Sequence, residues 1–281
     1  MRFAKAHGLG NDFILVAAVE APAEGLSSWA RRLCDRHLGI GADGVLVYAP
    51  AADGVTMRLV NADGSDGGIS GNGLRCLAAF AVAHDLAAAR HVVHTPPGPR
   101  PVEVELLDPR HFRIATDLGV PILRSDLIPV ALEPPTPEVV DHTLQAAGRA
   151  VRITATSMGN PHCAVFLDAR APDDLFAELG PALESHPFFP QRTNVEFIAA
   201  RSRAEIEVRF WERGVGPTLA SGTGSASAAV ASILTGRTDR KVRVLCDGGA
   251  LEVEWPEGGH LHQVGEVELL FEGEWPGDVL S

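Results

Sequence analysis

The sequence has few basic residues and no long apolar segment. Of its 281 residues, 24 are lysine or arginine and 36 are aspartate or glutamate, which gives a formal net charge of −12. This charge argues against nucleic acid and against an anionic membrane as partners, because both attract basic surfaces. No apolar run reaches the roughly 18 residues that a membrane helix needs, and the first residues are typical of an amphipathic strand rather than a signal peptide. We therefore expect a cytoplasmic protein that binds a small molecule, with a homodimer as a possible assembly.

Cysteine is also scarce. Cytosolic proteins keep their thiols reduced, so buried free thiols are expected rather than disulfides. No three candidate ligands converge in the sequence, and we assign no metal site. The four cysteines are scattered along the chain, at Cys34, Cys76, Cys163 and Cys246.

One short motif occurs twice. SGNG (residues 70–73) precedes a run of small apolar residues, and SGTG (residues 221–224) precedes another, 151 residues later. Two further pairs of similar motifs have nearly this spacing. Asn11 of GLGNDF and Asn160 of SMGNPH lie 149 residues apart, and the last glycines of NADG and WERG lie 150 residues apart. Three repeated motifs in the same order indicate two copies of one module. A site in such a chain is expected between the halves, with one Gly-rich turn on each side.

Most of the remaining pattern is typical of strands. Helical spacing of apolar residues occurs in residues 26–38 and 172–185. The runs that follow the Gly-rich turns, 71–83 and 222–234, are apolar on every side, as buried helices are. Runs that are rich in β-forming residues, many of them alternating apolar and polar, predict strands at residues 13–19, 44–50, 55–62, 100–107, 194–200, 204–211, 241–247 and 265–275.

These elements predict an α+β fold of two pseudo-symmetric domains, each a curved, mostly antiparallel sheet around a central helix. The N-terminal half is expected to span residues 1–120, and the C-terminal half residues 121–270, as a repeat of the first. The proline-rich segment 121–137 is the expected crossing. The end of the chain, about residues 270–281, is expected to return and complete the first domain.

A Gly-rich turn at the start of a helix can bind an anion. It exposes backbone N–H groups without a helical partner, and the helix dipole adds partial positive charge there. Such a turn can hold a carboxylate or phosphate, although glycine also serves simply for a tight turn. Two helix N-termini that face one cleft could hold a single carboxylate between them.

The motifs resemble those of a known family. GLGNDF, GIGADGV, NADGS with SGNGLRC, SMGNPH, RTNVEF and WERGVGPTLASGTGSASAAV are similar to diaminopimelate epimerase motifs, in the family's order and over almost the whole chain. The resemblance implies a cofactor-independent amino-acid epimerase that interconverts LL- and meso-diaminopimelate in lysine biosynthesis. In that family two cysteines face each other across the α-carbon, one removing a proton and the other delivering one.

The sequence departs from the family at these two positions, where it has Ser70 and Ser221. A serine hydroxyl is a far weaker acid than a thiol and needs a neighbouring base to act. Cys76 lies six residues after Ser70, well inside the expected helix, and is interpreted as a core residue. The serines are either native or replacements that disable the enzyme. Residues 67–69, just before Ser70, also differ from the residues that are usual in the family, which favours native serines that arose by natural drift.

The resemblance also implies ligands for an amino-acid substrate. Glu212 corresponds to a position that meets an ammonium group, and Glu212 and His162 are the titratable candidates for acid–base work beside the serine pair. Gly44 stands where many family members have a glutamine that contacts substrate. By resemblance, the carboxylate cradle consists of Gly71, Asn72, Gly222 and Thr223, and the distal end of the substrate is held by Asn11, Asn61, Asn160, Asn194 and Arg213. The asparagines could instead merely cap turns.

Three functions remain open at this point. The first is an epimerase or racemase of this family, with Ser70 and Ser221 as the facing pair. The second is a related isomerase or dehydratase that moves a proton with carboxylate and imidazole groups. The third is a non-catalytic protein that binds a diamino diacid.

Overall fold

The computed structural model describes residues 1–96 and 98–276. Its helices are α1 (Leu26–Cys34), α2 (Gly71–Ala83), α3 (Asp173–Glu184) and α4 (Gly222–Leu234). Its strands are β1 (Arg2–Gly8), β2 (Asn11–Ala17), β3 (Gly44–Ala51), β4 (Gly54–Asn61), β5 (Asp66–Gly68), β6 (Arg90–Thr95), β7 (Gly98–Leu106), β8 (His111–Asp117), β9 (Val139–Ala146), β10 (Arg149–Ser157), β11 (Pro161–Leu167), β12 (Asn194–Ser202), β13 (Glu205–Glu212), β14 (Gly216–Thr218), β15 (Lys241–Cys246), β16 (Gly249–Glu254) and β17 (His262–Glu274).

The chain divides into two compact units. The first consists of Met1–Asp117 together with the chain from Val264 onward, and the second of Leu118–Gln263. In the first unit β17 pairs antiparallel with β1. Part of the expected C-terminal return, residues 277–281, lies outside the described residues.

The two units share one succession of strand pairings. In the first unit β1 pairs antiparallel with β2, β2 parallel with β3, β3 antiparallel with β4, β4 antiparallel with β5 and parallel with β6, and β6 antiparallel with β7. In the second unit β10 to β16 repeat these six steps in the same order and with the same directions. The repeat seen in the sequence is therefore a repeat of topology.

Each unit buries one helix against its sheet. Helix α2 packs on β1, β2, β4 and β8, and helix α4 packs on β10, β11, β12 and β13. Ten of the 13 residues of each helix are buried. This burial follows from the composition, because alanine, serine and glycine let the strands approach the helix from several sides. The predicted helices 71–83 and 222–234 are confirmed.

The other elements agree with the sequence patterns, with one exception. All eight predicted strands are present, and α3 occupies the segment predicted at 172–185. Helix α1 ends at Cys34, so its predicted extension to residue 38 is wrong. The side chain of Asp35 accepts hydrogen bonds from the backbone N–H groups of His37 and Leu38, both at 2.8 Å, and this turn replaces the last helical turn. Leu38 itself is 83% exposed.

The sequence predicted that the cysteines are free and buried and that the chain has no membrane helix. All four cysteines are free, and those at positions 34, 76 and 163 are buried as predicted, whereas Cys246 is only half-buried. Burial raises the pKa of the Cys76 thiol to about 12, as expected for a core residue rather than a reactive one. Among the described residues no helix is both long and apolar enough to cross a membrane.

Candidate active site

In the first unit the candidate ligands lie at one edge of the sheet. Asn11 begins β2 and Gly44 begins the parallel strand β3, while Asn61 ends β4 and pairs with Gly44. The N-terminus of α2 lies at the same edge, because the Nδ2 of Asn72 donates to the Oδ1 of Asn11 at 3.2 Å. The fold thus brings together four residues that are distant in sequence.

The second unit repeats this edge with different side chains. Asn160 directly precedes β11, Asn194 begins the parallel strand β12, and Glu212 ends β13. By strand order these positions correspond to Asn11, Gly44 and Asn61 of the first unit. The edge therefore carries a carboxylate in the second unit where the first unit has an amide.

The turns that lead to the two helices also match. Gly64 and Gly214 both have a φ of 79°, a conformation that favours glycine. The N–H of Gly64 donates to the carbonyl of Asn61 at 2.8 Å, and the N–H of Val215 donates to that of Glu212 at 3.0 Å. A three-residue strand follows each turn, and both strands, β5 and β14, are too short to show in a sequence pattern.

Ser70 and Ser221 are the N-caps of the two helices. The Oγ of Ser70 accepts from the N–H of Gly73 at 3.1 Å, and the Oγ of Ser221 accepts from the N–H of Gly224 at 3.2 Å. Both residues have extended backbone angles, as N-caps do. Each hydroxyl therefore uses a lone pair to complete its helix and keeps its proton for another acceptor.

The cradle residues directly follow these caps. Counted from the cap residue itself, the first four N–H groups of a helix have no partner within the helix, and each cap hydroxyl satisfies only the fourth, that of Gly73 or Gly224. The two N–H groups between the cap and this position belong to Gly71 and Asn72 in α2 and to Gly222 and Thr223 in α4. Each helix end can therefore accept a carboxylate oxygen through backbone groups.

Charged residues hold Asn11 in place. Its Nδ2 donates to the Oδ2 of Asp43 at 2.7 Å, and the Oδ1 of Asp43 accepts from Arg36 at 2.8 Å. Arg36 also forms a two-pronged pair with Asp12, which Lys5 approaches to 2.6 Å. Although burial of the Asp12 carboxyl opposes its ionisation, hydrogen bonds from Arg36 and Lys5 outweigh this effect and lower its pKa to about 2.

His162 lies in the interior of the second unit, completely buried. Its Nδ1 is 2.7 Å from an oxygen of Glu196, and its Nε2 is 3.0 Å from the Oδ1 of Asn160. Burial raises the pKa of Glu196 despite the nearby imidazole. Because both ring nitrogens are engaged, His162 would have to give up one of these bonds to act directly as a base.

The loop that carries Glu212 and Arg213 is fixed by two buried side chains. The Oδ1 of Asn194 accepts from the N–H of Arg213 at 3.0 Å, and its Nδ2 donates to the carbonyl of Pro161 at 3.0 Å. Glu184 accepts from the N–H of Gly214 at 2.6 Å and from the Trp211 indole at 2.9 Å.

Asn194 therefore ties together two loops of candidate ligands, which is a different task from the direct contact that the resemblance implies. The guanidinium of Arg213 is exposed and donates to the carbonyl of Gln191 at 3.1 Å. It is the one charged donor among the proposed ligands.

Gly44 has no space for a larger residue. A Cβ at this position would lie 2.9 Å from the carbonyl oxygen of Val60 and 3.0 Å from a methyl group of Leu59. The glycine at this position is therefore part of the packing of β3 on β4, and no side chain reaches a ligand from it.

Sequence reasoning missed the residues that hold the ligands in place, namely Arg36, Asp43, Glu184 and Glu196. Asp43 is part of the GIGADGV motif, and Glu196 of RTNVEF, so both were within the recognised motifs. Among the described residues no group of three or more histidine, cysteine or carboxylate residues is arranged to hold a metal ion.

Comparison with known proteins gives the family. The sequence profile named diaminopimelate epimerase matches residues 3–123 and 154–270. A diaminopimelate epimerase of Pelotomaculum thermopropionicum is 44% identical over 98% of this chain and 99% of its own length, and one of Desulforudis audaxviator is 45% identical with the same coverage. A crystal structure of a phenazine biosynthesis protein of the PhzF family from Bacillus anthracis shares the fold, with a TM-score of 0.66 at 15% identity over 98% of this chain and 99% of that one. On the full-length match of its sequence, this chain belongs to the diaminopimelate epimerase family.

Proposed function

We propose that this protein is a cofactor-independent epimerase for diaminopimelate, whose rate is limited by serine at both positions of the facing pair. The observation that carries the proposal is the pair of capped helix N-termini, Ser70 with α2 and Ser221 with α4, in a chain of this family. The relatives named diaminopimelate epimerase match it over nearly its full length.

Substrate binding follows from the groups at the two sheet edges. An amino acid carries a carboxylate and an ammonium at its reacting end, and diaminopimelate carries a second such pair at its distal end. We assign the reacting carboxylate to the backbone N–H groups of Gly71, Asn72, Gly222 and Thr223. The distal carboxylate is assigned to Arg213, which can grip it with two hydrogen bonds, and the ammonium groups to Glu212 and the amide oxygens of Asn11, Asn61 and Asn160.

The reaction breaks the Cα–H bond of the substrate and forms a new one on the opposite face. The electron pair of the broken bond moves into the carboxylate, which the two helix N-termini stabilise as it gains charge. A base takes the first proton and an acid on the other face supplies the second. Ser70 and Ser221 can donate their hydroxyl protons, but neither is ionised at rest. Removal of the first proton therefore depends on Glu212, or on His162 after it leaves one of its present partners.

Solvent exchange tests the proposal. LL-diaminopimelate is incubated with the protein in deuterium oxide, and the α-position is followed by mass spectrometry and chiral chromatography. Deuterium incorporation with formation of the meso isomer supports an epimerase. Incorporation or elimination with another substrate, and none with diaminopimelate, would support a related isomerase or dehydratase and contradict the proposal.

One observation favours a second candidate, a protein that binds a diamino diacid without turnover. Both hydroxyls act as helix caps, a role that needs no ionisation. Calorimetric binding of diaminopimelate with no deuterium incorporation over days would establish this function in place of catalysis.

The proposal also covers the cellular location and the assembly of the protein. The acidic composition, with a net charge of −12, fits a cytoplasmic enzyme that does not bind nucleic acid. A homodimer is the proposed assembly, which sedimentation of the purified protein would test.

A further inference from the structure

In the first unit a chain of hydrogen bonds runs along the sheet edge that carries the candidate ligands, from Arg75 as the first donor to Asp43 as the last acceptor. Arg75, completely buried in α2, donates to the Oδ1 of Asn72. The Nδ2 of Asn72 donates to the Oδ1 of Asn11, and the Nδ2 of Asn11 donates to Asp43. We call these four residues the amide relay.

The two ends of the amide relay define its direction. A guanidinium can only donate and a carboxylate can only accept. An asparagine amide, in contrast, can turn by half a revolution and exchange its donor and acceptor. If Asn72 turned, its NH2 would face the donors of Arg75. If Asn11 turned, its oxygen would face the carboxylate of Asp43.

Each amide is therefore held in one orientation by the residue at its own end and by its neighbour. The Asp43 end is held in turn, because its second oxygen accepts from Arg36 at 2.8 Å, and the N–H of Asp12 donates to the oxygen that Asn11 uses, at 3.0 Å.

We infer that Asp43 and Arg75 are positioning residues, which fix the amides of Asn11 and Asn72 before the substrate arrives. This role rests on the proposed function for the identity of the ligand that Asn11 and Asn72 meet. The orientation of the amides does not rest on it. A substrate then meets fixed donors and acceptors, and no binding energy is lost in ordering two amides.

The test compares two aspartates of the segment between α1 and β3. Asp43 and Asp35 each accept from backbone N–H groups, but of the two only Asp43 contacts an asparagine of the amide relay. Asp43→Ala and the control Asp35→Ala are both expected to lower the melting temperature. Only Asp43→Ala is expected to move the side-chain NH2 signals of Asn11 in 15N NMR spectra and to speed their exchange with water. In the same variant the Kd for diaminopimelate should rise about tenfold, the equivalent of about 1.4 kcal/mol.

A merely structural role gives a different result. Asp43→Ala would then behave as Asp35→Ala does, with a lower melting temperature but with unchanged Asn11 signals and a Kd within twofold of the original protein. That result overturns the inference. If Asp43→Ala does not fold, Asp43→Leu keeps most of the volume of the side chain. Its side chain can accept from neither Asn11 nor Arg36, so the Asn11 signals should move, and unchanged signals would again overturn the inference.

The two proposals fail in distinguishable ways. If the unmodified protein does not bind diaminopimelate, the proposed function fails. The NH2 signals of Asn11 in Asp43→Ala then decide alone whether the amide relay fixes this side chain.

Discussion

Replacing both cap serines by cysteine should separate catalysis from stability. In the structure Gly73 and Gly224 point their N–H groups at the two hydroxyl oxygens, at 3.1 and 3.2 Å. A thiol in place of Ser70 or Ser221 would receive the same N–H group and the partial positive charge of the helix. These favour the thiolate, and cysteines at helix N-termini have pKa values lowered to about 7.5 or less.

The expected gain in rate follows from ionisation. At about pH 8 a thiol with a pKa of about 7.5 is roughly three-quarters ionised, whereas a serine is not ionised at rest. A positioned general acid or base contributes roughly 10²- to 10⁴-fold to a rate. The double variant should therefore epimerise diaminopimelate at least about 10² times faster than the unmodified protein. Either single variant should gain less, because inversion needs a group on each face of the α-carbon.

The same exchange should cost stability. Loss of a serine N-cap typically lowers the free energy of unfolding by about 0.5–2 kcal/mol, and a thiol is a weak hydrogen-bond acceptor. Two lost caps should together lower it by about 1–4 kcal/mol. The matched control is the double change Ser70→Ala with Ser221→Ala, which removes both caps and adds no thiol. It should lose as much stability and gain no activity.

Deuterium incorporation at the α-carbon measures the rate, and urea unfolding measures the stability. Two results would refute the reasoning. The unmodified protein could turn over diaminopimelate at a rate typical of enzymes, about 1 to 10³ per second, which would point to Glu212 or His162 as a sufficient base. Alternatively, the double cysteine variant could bind diaminopimelate and gain nothing, which would indicate a site shaped for another substrate.

Three further predictions concern single residues. Arg213→Ala should weaken diaminopimelate binding by about 2–4 kcal/mol, as expected for a charged hydrogen-bonded partner, and calorimetry showing less than a twofold change would make the residue merely structural. Gly44→Ala should lower the free energy of unfolding by about 1–3 kcal/mol because its Cβ has no space, and Leu59→Val in the same chain should recover part of the loss in urea unfolding. Because the pKa of Asp12 is lowered in the folded state to about 2, its stabilising effect is complete above its ordinary pKa of about 4 and is lost as the pH falls toward 2. Asp12→Asn should therefore flatten the loss of stability measured between about pH 4 and pH 2, and an unchanged acid profile would contradict the assigned ion pairs.

Much of the fold could be predicted from the sequence because each of the two central helices has local sequence features that mark its ends. A capping serine, a glycine at the third helical position and an apolar run gave the bounds of α2 and α4 correctly. Helix α1 was predicted too long because Leu38 continues the helical spacing of apolar residues. The competing signal was Asp35, whose carboxylate satisfies two backbone N–H groups in a turn and stops the helix.

The site was readable only in part. The family motifs indicated which residues are candidate ligands, but the residues that hold them depend on strand pairing. Asp43 reaches Asn11 because β2 and β3 are parallel and begin side by side. Glu184 reaches Gly214 across 30 positions of sequence. No local pattern encodes such contacts, since they exist only once the sheet has formed.

The repeated succession of strand pairings has an evolutionary consequence. Two copies of one topology, about 150 residues apart, are what the duplication of an ancestral half-length gene would leave behind. Both copies have a serine cap, whereas their edge residues differ: Gly44 of the first copy corresponds to Asn194 of the second, and Asn61 corresponds to Glu212. A pair of identical copies would present the same chemical groups twice. Because the edge residues differ while the order and direction of strand pairing are the same, the two copies present different chemical groups from equivalent positions of one frame.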